Sequence, residues 1–206
     1  MLRYIKRKIY NVIVENLSIY AGMIKAAIHR AEIKEIESQN FIHGKFSISP
    51  NVSFYGTEYM NIGAGFFARP CTRIECISKY NGCDYAPKLI IGRNVYFHNN
   101  CHVGCINKIQ IGDEVLVGSN VLITDHSHGV MSDTDKDVPW RLRELDSKGP
   151  VVIGSNVWIC ENVCILPNVT IGEGSVIAAN SVVTHDIPPY SMAAGNPAKV
   201  IKSLLS

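Results

Sequence analysis

The sequence predicts an all-β chain that folds as a parallel β-helix, with an N-terminal helical segment and a short C-terminal helix. The main observation is a six-residue repeat of branched aliphatic side chains at Ile153, Ile159, Ile165, Ile171, Ile177 and Val183. A second repeat of the same period comprises Val157, Val163, Val169, Ser175 and Ser181. Neither an α-helix nor an ordinary strand has a period of six. A chain that turns a corner every six residues has this period, because one side chain points inward on each face.

Shorter runs of the repeat occur upstream. They are Ile91, Phe97 and Val103, then Ile111, Val117 and Ile123, a run of Ile62, Ala68 and Ile74, and a weaker pair of Ile48 and Phe54. Two stretches interrupt them, Lys79 to Lys88 and Thr124 to Pro150. Because extra residues cannot enter the stacked core of a solenoid, we expect both stretches to leave the coil as loops beside a binding face.

Composition supports one β-helical domain over residues 41–206, preceded by a helical segment at 1–40. The 206 residues are 47% hydrophobic and 18% charged, which suits a stacked solenoid better than a disordered or coiled-coil chain. The net charge of +2 is too small to indicate a nucleic-acid partner.

The first twenty residues predict an amphipathic helix, which we expect to continue towards Ile36. Basic residues begin the segment, and apolar residues follow at helical spacing. Polar Asn11, Glu15 and Asn16 leave no apolar run long enough to span a bilayer, and a secretory signal would also need such a run. Two roles stay open for this helix: a cap on the solenoid end, or peripheral contact with an anionic membrane surface.

Seven cysteines are present, an odd number without a C-x-x-C pair. This pattern favours neither a disulfide framework nor a metal site. We therefore expect the cysteines to serve as small packing residues in a reducing compartment, the cytoplasm, and we expect no bound metal.

The segment Thr124 to Gly129 contains the first candidate for chemistry, because it places His126 and His128 at the root of the longer interruption. Imidazole is the side chain whose ordinary pKa suits proton abstraction near neutral pH. On an extended segment the two rings would point the same way. The alternative is a solvated loop rich in turn-forming residues.

The repeat, the histidine-bearing loop and the tail from Asp186 to Lys199 resemble the left-handed β-helix acyltransferases. Within that family the chain is most similar to the maltose and galactoside O-acetyltransferases and to those that modify surface polysaccharides. The resemblance covers Ile48 to roughly Lys202. It implies a left-handed coil, a homotrimer with acetyl-CoA between subunits, and acetyl transfer to a sugar hydroxyl of a cell-surface glycan or its precursor.

Ungapped matching from Gly118 places the family's catalytic base on His128. The resemblance implies that this base deprotonates the acceptor hydroxyl, which attacks acetyl-CoA directly without an acyl-enzyme. Asp125 or a backbone carbonyl would orient the ring, and whether His126 shares the role stays open. Backbone amides of Cys160 and Glu161 match the family's position for stabilising the oxyanion.

Binding residues also follow from the resemblance. The matched acceptor contacts are His98, Asn99 and Asn100, with Asp125 and His126 beside them. His98 stands where the maltose and galactoside enzymes have an asparagine, a departure from that subgroup's pattern that leaves the implied acetyl transfer unchanged. The matched acetyl-CoA contacts are Trp158, Cys160, Glu161, Ala179, Thr184, His185, Lys199 and Lys202, although a lysine is common at the position of His185.

Other functions stay open on the sequence. An amino sugar or an antibiotic would suit the same scaffold as the acceptor. A γ-carbonic-anhydrase-like protein would bind zinc through imidazoles, for which His98, His102, His126 and His128 are available. A third alternative is a scaffold without catalysis, since solenoids also serve as binding surfaces.

Overall fold

The computed structural model describes residues 2–130 and 136–205 and separates into two compact units, one ending at Asn40 and the other beginning at Phe41. The first unit is a single helix, α1, from Leu2 to Gln39. This confirms the predicted N-terminal helix, whose 38 residues span about 57 Å. Its exposed apolar side chains include Leu17, Ile19, Tyr20, Met23, Ile24 and Ile28. Within the described residues, no helix has the length and apolar character needed to cross a membrane.

The second unit consists of short strands. In chain order they are β1 Phe46–Ile48, β2 Ser53–Tyr55, β3 Met60–Ile62, β4 Phe66–Ala68, β5 Arg73–Cys76, β6 Lys79–Tyr80, β7 Cys83–Asp84, β8 Lys88–Ile91, β9 Tyr96–Phe97, β10 His102–Cys105, β11 Lys108–Ile111, β12 Leu116–Val117, β13 Leu122–Thr124, β14 Val151–Ile153, β15 Trp158–Ile159, β16 Cys164–Ile165, β17 Val169–Ile171, β18 Val176–Ile177, β19 Val182–Val183, β20 Ser191–Gly195 and β21 Ala198–Ser203. Single 3₁₀ turns occur at Thr57–Tyr59 and Trp140–Leu142.

These strands form three sheets that the chain visits in turn. The first sheet has the order β1-β4-β9-β12-β15-β18-β20-β21, the second β19-β16-β13-β10-β5-β2, and the third β17-β14-β11-β8-β3. Apart from β21, each strand of these three sheets pairs in parallel with its neighbours from adjacent coils, for example β10 with β5 and β13. The chain is therefore a three-faced parallel β-helix, as the period of six predicts. We call the corner that leads from the first sheet to the second the first corner, and the next the second corner.

The core confirms the repeat. All eleven residues of the two C-terminal ladders are at most 1% exposed. Ser175 and Ser181 take the place of aliphatic residues there, and their hydroxyls are hydrogen-bonded: Ser175 Oγ donates to the carbonyl of Pro188, and Ser181 Oγ accepts from the N–H of Gly195. Burial of these polar groups is thereby compensated.

An asparagine ladder runs along the first corner. Asn100, Asn120, Asn162 and Asn180 all have left-handed backbone, with φ between 57° and 61°. The side-chain amides of Asn100, Asn120 and Asn162 each donate to the next one along the axis, at 3.0–3.2 Å. Asparagine is one of the few residues that tolerates this conformation. Cys71 occupies the same corner one coil earlier, with φ 63°, and its side chain is exposed.

The predicted C-terminal helix is wrong, because residues 198–203 form β21, antiparallel to β20. The chain reverses at Asn196–Pro197, and the β-branched pair Val200 and Ile201 favours an extended conformation at the free edge of the first sheet.

Both interruptions of the repeat leave the coil at the second corner. The first folds into the antiparallel hairpin of β6 and β7, and the second connects β13 to β14. The two strands that they follow, β5 and β13, both pair with β10, so the two interruptions emerge at the same corner two coils apart.

All seven cysteines are free. Cys76, Cys101 and Cys105 lie in the core, where burial raises the pKa of the Cys101 thiol to about 11. These three are packing residues, as the sequence predicts.

Candidate active site

A buried carboxylate anchors the start of the longer loop. Asp125 follows β13 directly and is 0% exposed. Its two carboxylate oxygens accept hydrogen bonds from the backbone N–H groups of Ile106 (2.9 Å) and Asn107 (2.8 Å). Oδ1 is also 3.0 Å from Nδ1 of His126. A hydrogen bond to a carboxylate places the proton on Nδ1, which leaves Nε2 of His126 as the basic nitrogen.

The ring of His126 lies over Gly104, next to that of His102. A Cβ atom at Gly104 would be 3.1 Å from Cε1 of His126 and 3.5 Å from Nε2 of His102. Because glycine has no side chain, Gly104 leaves space on the strand for both imidazole rings. The side chain of His126 is 10% exposed as a result.

His102 belongs to a network that the sequence analysis missed. Its Nε2 is 3.0 Å from Glu75 Oε2, and the guanidinium of Arg73 is 3.2 Å from the ring. Burial, the largest effect, lowers the pKa of His102, so this imidazole is neutral near pH 7. Glu75 and Arg73 lie 27 and 29 residues away on β5, which pairs in parallel with β10 and places Arg73 directly opposite His102. Only the spacing between coils could have signalled the contact.

His128 has a different environment. It is exposed, and its ring lies 5.5 Å from that of Tyr80 at an interplanar angle of 70°, an edge-to-face contact. Asp125, one of the groups predicted to orient His128, is hydrogen-bonded to His126 instead. The two histidines thus differ in exposure: His126 is hydrogen-bonded and largely covered, whereas His128 is exposed.

An internal arginine organises the loop around His128. Arg143 is 6% exposed, and its guanidinium donates to the carbonyls of Val138 (2.9 Å) and Val130 (3.1 Å). It also lies 3.7 Å above the ring of Trp140. A cavity of about 440 Å³ adjoins this arginine, and its lining includes Gly129, directly after His128.

The predicted acceptor residues His98, Asn99 and Asn100 lie at the first corner. The side chain of Asn100 is part of the asparagine ladder, Asn99 is exposed, and His98 is half-buried. Asp125, His126 and His128 follow the second corner instead. Within one protomer, the width of the second sheet separates the two groups.

The predicted acetyl-CoA residues are also divided between corners. Trp158 is 50% exposed on the outer face of the first sheet, and Ala179 is exposed at the first corner. Thr184 and His185 contact each other at 2.8 Å, near the second corner. Lys199 and Lys202 are exposed on β21.

One predicted oxyanion donor is already engaged. The backbone N–H of Cys160 donates to the carbonyl of Ile177 at 2.9 Å, as part of the sheet. Of the predicted pair, the Glu161 amide is therefore the remaining candidate. The Cys160 thiol is half-buried, and burial raises its pKa.

Among residues 2–130 and 136–205, no group of three or more His, Cys, Asp and Glu side chains is arranged to hold a metal ion. Of the four histidines of the zinc alternative, His98 lies at the first corner, His102 on β10, and His126 and His128 after β13.

The repeat matches a known family. Residues 150–185 match the bacterial transferase hexapeptide family (six repeats). Over 113 residues the chain is 43% identical to WbbJ of Escherichia coli (strain K12), named as a lipopolysaccharide biosynthesis O-acetyl transferase. That match covers 53% of this chain and 57% of the relative. Over 120 residues it is 42% identical to the galactoside O-acetyltransferase of the same organism, covering 58% of this chain and 56% of the relative. The match thus spans little more than half of each relative.

Solved structures extend the comparison. A maltose O-acetyltransferase from Clostridium difficile 630 has a TM-score of 0.56 and 29% identity, covering 85% of this chain and 76% of that one. A hexapeptide-repeat acetyltransferase from Vibrio cholerae, VCA0836, solved with acetyl coenzyme A, has a TM-score of 0.55 and 26% identity, covering 85% and 79%. The chain thus contains a repeat that matches this family, and it is similar in fold to these two acetyltransferases.

Proposed function

We propose that this protein is an acetyl-CoA-dependent O-acetyltransferase that acts on a sugar hydroxyl, on a cell-surface polysaccharide or its precursor, and that its coil is left-handed. The loop after β13 carries the proposal, because it presents an accessible imidazole two residues from one held by a buried carboxylate. The names of the similar proteins, which include sugar and lipopolysaccharide O-acetyltransferases, support the reaction and the class of acceptor.

His128 is the proposed general base. It takes the proton of the acceptor hydroxyl, so that the oxygen attacks the thioester carbon of acetyl-CoA, and it returns the proton to the departing thiol. The Glu161 amide is the proposed donor to the developing oxyanion. Trp158, Ala179, Thr184, His185, Lys199 and Lys202 stay the proposed contacts of acetyl-CoA, with the two lysines towards its phosphates.

A homotrimer is part of the proposal. The proposed acceptor residues His98, Asn99 and Asn100 lie at the first corner, and within a protomer the width of the second sheet separates them from the proposed base. In a homotrimer, the first corner of one protomer would lie beside the second corner of its neighbour. The first sheet also has an apolar outer row, in register along the axis, that could bury against a second copy: Tyr96, Leu116, Trp158, Val176 and Met192. Light scattering of the purified chain tests this, and a fully active monomer would contradict it.

We also propose a cytoplasmic location, and peripheral contact of α1 with the membrane stays an alternative to its role as a cap. The basic start of this segment and its exposed apolar residues suit an anionic surface. Sedimentation of the full chain with anionic and with neutral vesicles tests the contact, and equal recovery in both supernatants would support the cap alternative.

The decisive experiment is thiol release from acetyl-CoA in the presence of saccharides, amino sugars and antibiotics. His128→Ala should lower kcat by about 100-fold, the usual scale of general-base effects, and leave acetyl-CoA binding unchanged. His126→Ala is the matched comparison. A large loss in His126→Ala with normal turnover in His128→Ala would move the role of base to His126, whose Asp125 partner favours it. No thiol release with any acceptor would contradict the proposed function.

A further inference from the structure

The two interruptions of the repeat, the hairpin of β6 and β7 and the loop between β13 and β14, are hydrogen-bonded to each other. From the hairpin of β6 and β7, Tyr80 donates its hydroxyl proton to the carbonyl of Arg141 at 2.9 Å. The side-chain amide of Asn81 donates to the same carbonyl at 2.8 Å and to that of Arg143 at 3.2 Å. Beyond the hairpin, the hydroxyl oxygen of Tyr85 accepts from the backbone N–H of Leu145 at 2.8 Å. The shorter interruption thus stabilises the longer one through these hydrogen bonds.

The hairpin also reaches the proposed base. The ring of Tyr80 is in edge-to-face contact with that of His128, and the hydroxyl on the same ring is bonded to Arg141. Tyr80 is therefore held at its far end by the loop whose histidine it touches. An exposed histidine on a loop otherwise samples several side-chain rotamers.

We propose that Tyr80 is a positioning residue that holds the imidazole of His128 in the orientation required for proton abstraction. This rests on the proposed function. A base contributes fully only when its nitrogen is directed at the acceptor hydroxyl, so a ring free to rotate lowers turnover without weakening substrate binding elsewhere. Tyr80 acts through the contact of its ring, and its hydroxyl acts through the loop.

Three variants separate these contributions. Tyr80→Leu removes both the ring and the hydroxyl, and Tyr80→Phe keeps the ring and removes only the bond to Arg141. Asn81→Ala loosens the attachment of the hairpin and leaves the Tyr80 ring in place. Tyr59→Leu makes the same exchange at a half-buried tyrosine outside both interruptions and is the matched control.

The measurements are kcat, the KM for acetyl-CoA, and the chemical shift of the His128 Cε1 proton, which responds to the current of a neighbouring aromatic ring. Tyr80→Leu should lower kcat by about tenfold, leave KM for acetyl-CoA within about twofold, and move the His128 resonance. Tyr80→Phe should keep the resonance and most of kcat. Asn81→Ala should leave the His128 chemical shift at its wild-type value. Tyr59→Leu should change neither kcat, nor the KM for acetyl-CoA, nor that chemical shift.

Three outcomes would overturn the proposal: wild-type kcat in Tyr80→Leu, an unmoved His128 resonance in that variant, or an equal loss in Tyr80→Phe and Tyr80→Leu. The last would assign the effect to the hydroxyl and the loop. Failure of the proposed function is distinguishable, because the wild-type protein would then release no thiol, whereas the resonance still reports whether the two rings touch.

Discussion

Removal of one amide from the asparagine ladder should destabilise the coil by an amount that the structure predicts. Asn120 has φ 59°, donates to Asn162 Oδ1 at 3.0 Å and accepts from Asn100 Nδ2 at 3.1 Å. Both bonds are exposed, so each contributes towards the low end of the usual range, about 0.5 kcal/mol. Alanine at a left-handed position costs a further 1–2 kcal/mol or so.

Asn120→Ala should therefore lower the free energy of unfolding by about 2–3 kcal/mol. Asn120→Gly loses the same two bonds but keeps easy access to positive φ, so its loss should be only about 1–1.5 kcal/mol. For a chain of this size, each kcal/mol corresponds to roughly 2–4 °C in Tm.

Urea denaturation followed by circular dichroism measures the difference, with Asn99→Ala as the control. Asn99 is exposed at the same corner and lacks the positive φ, so its variant should stay within about 0.5 kcal/mol of wild type. Equal midpoints for Asn120→Ala and Asn120→Gly would refute the backbone argument. A wild-type midpoint in Asn120→Gly would show that the ladder bonds contribute nothing.

Three further predictions concern other positions. Cys71→Asn should raise the free energy of unfolding by about 1 kcal/mol, because asparagine tolerates φ 63° and its amide can extend the ladder to Asn100; a lower urea midpoint would contradict this. Gly104→Ala should cost about 1–3 kcal/mol, because its Cβ would press on the rings of His126 and His102, and an unchanged midpoint would show that both rings move aside freely. The lowered pKa of His102 means that the unfolded chain binds more protons just below its ordinary value of 6.5, so stability should fall as pH drops through that region. His102→Gln should reduce this dependence, and an unaltered pH profile of the urea midpoint would count against the assignment.

The fold was largely predictable because each coil requires an inward-facing apolar side chain at the same positions. A residue such as Ile165 must point inward whichever coil it occupies, so the period alone assigned its burial. The C-terminal segment was not predictable in this way. Residues 198–203 lie beyond the last repeat, and their strand depends on pairing with β20 after a chain reversal.

The candidate site was predictable only in part. The sequence located His126 and His128 at the root of a loop, but adjacency in the chain did not show that Asp125 pairs with His126. The contact between His128 and Tyr80 joins two interruptions of the repeat 48 positions apart. It depends on both interruptions leaving the same corner.

The sequence by itself determined the coil, its buried ladders and the places where the chain leaves it, because a strict period constrains every inward position to the same size and polarity. Only the tertiary structure decided which polar groups meet across coils. Examples are the packing of His126 over Gly104 and the contact of Tyr80 with His128. Both depend on the stacking of strands that lie some 20 to 30 residues apart in the chain, or further where a loop intervenes. Stacking distance is a property of the folded coil, and local sequence does not encode it.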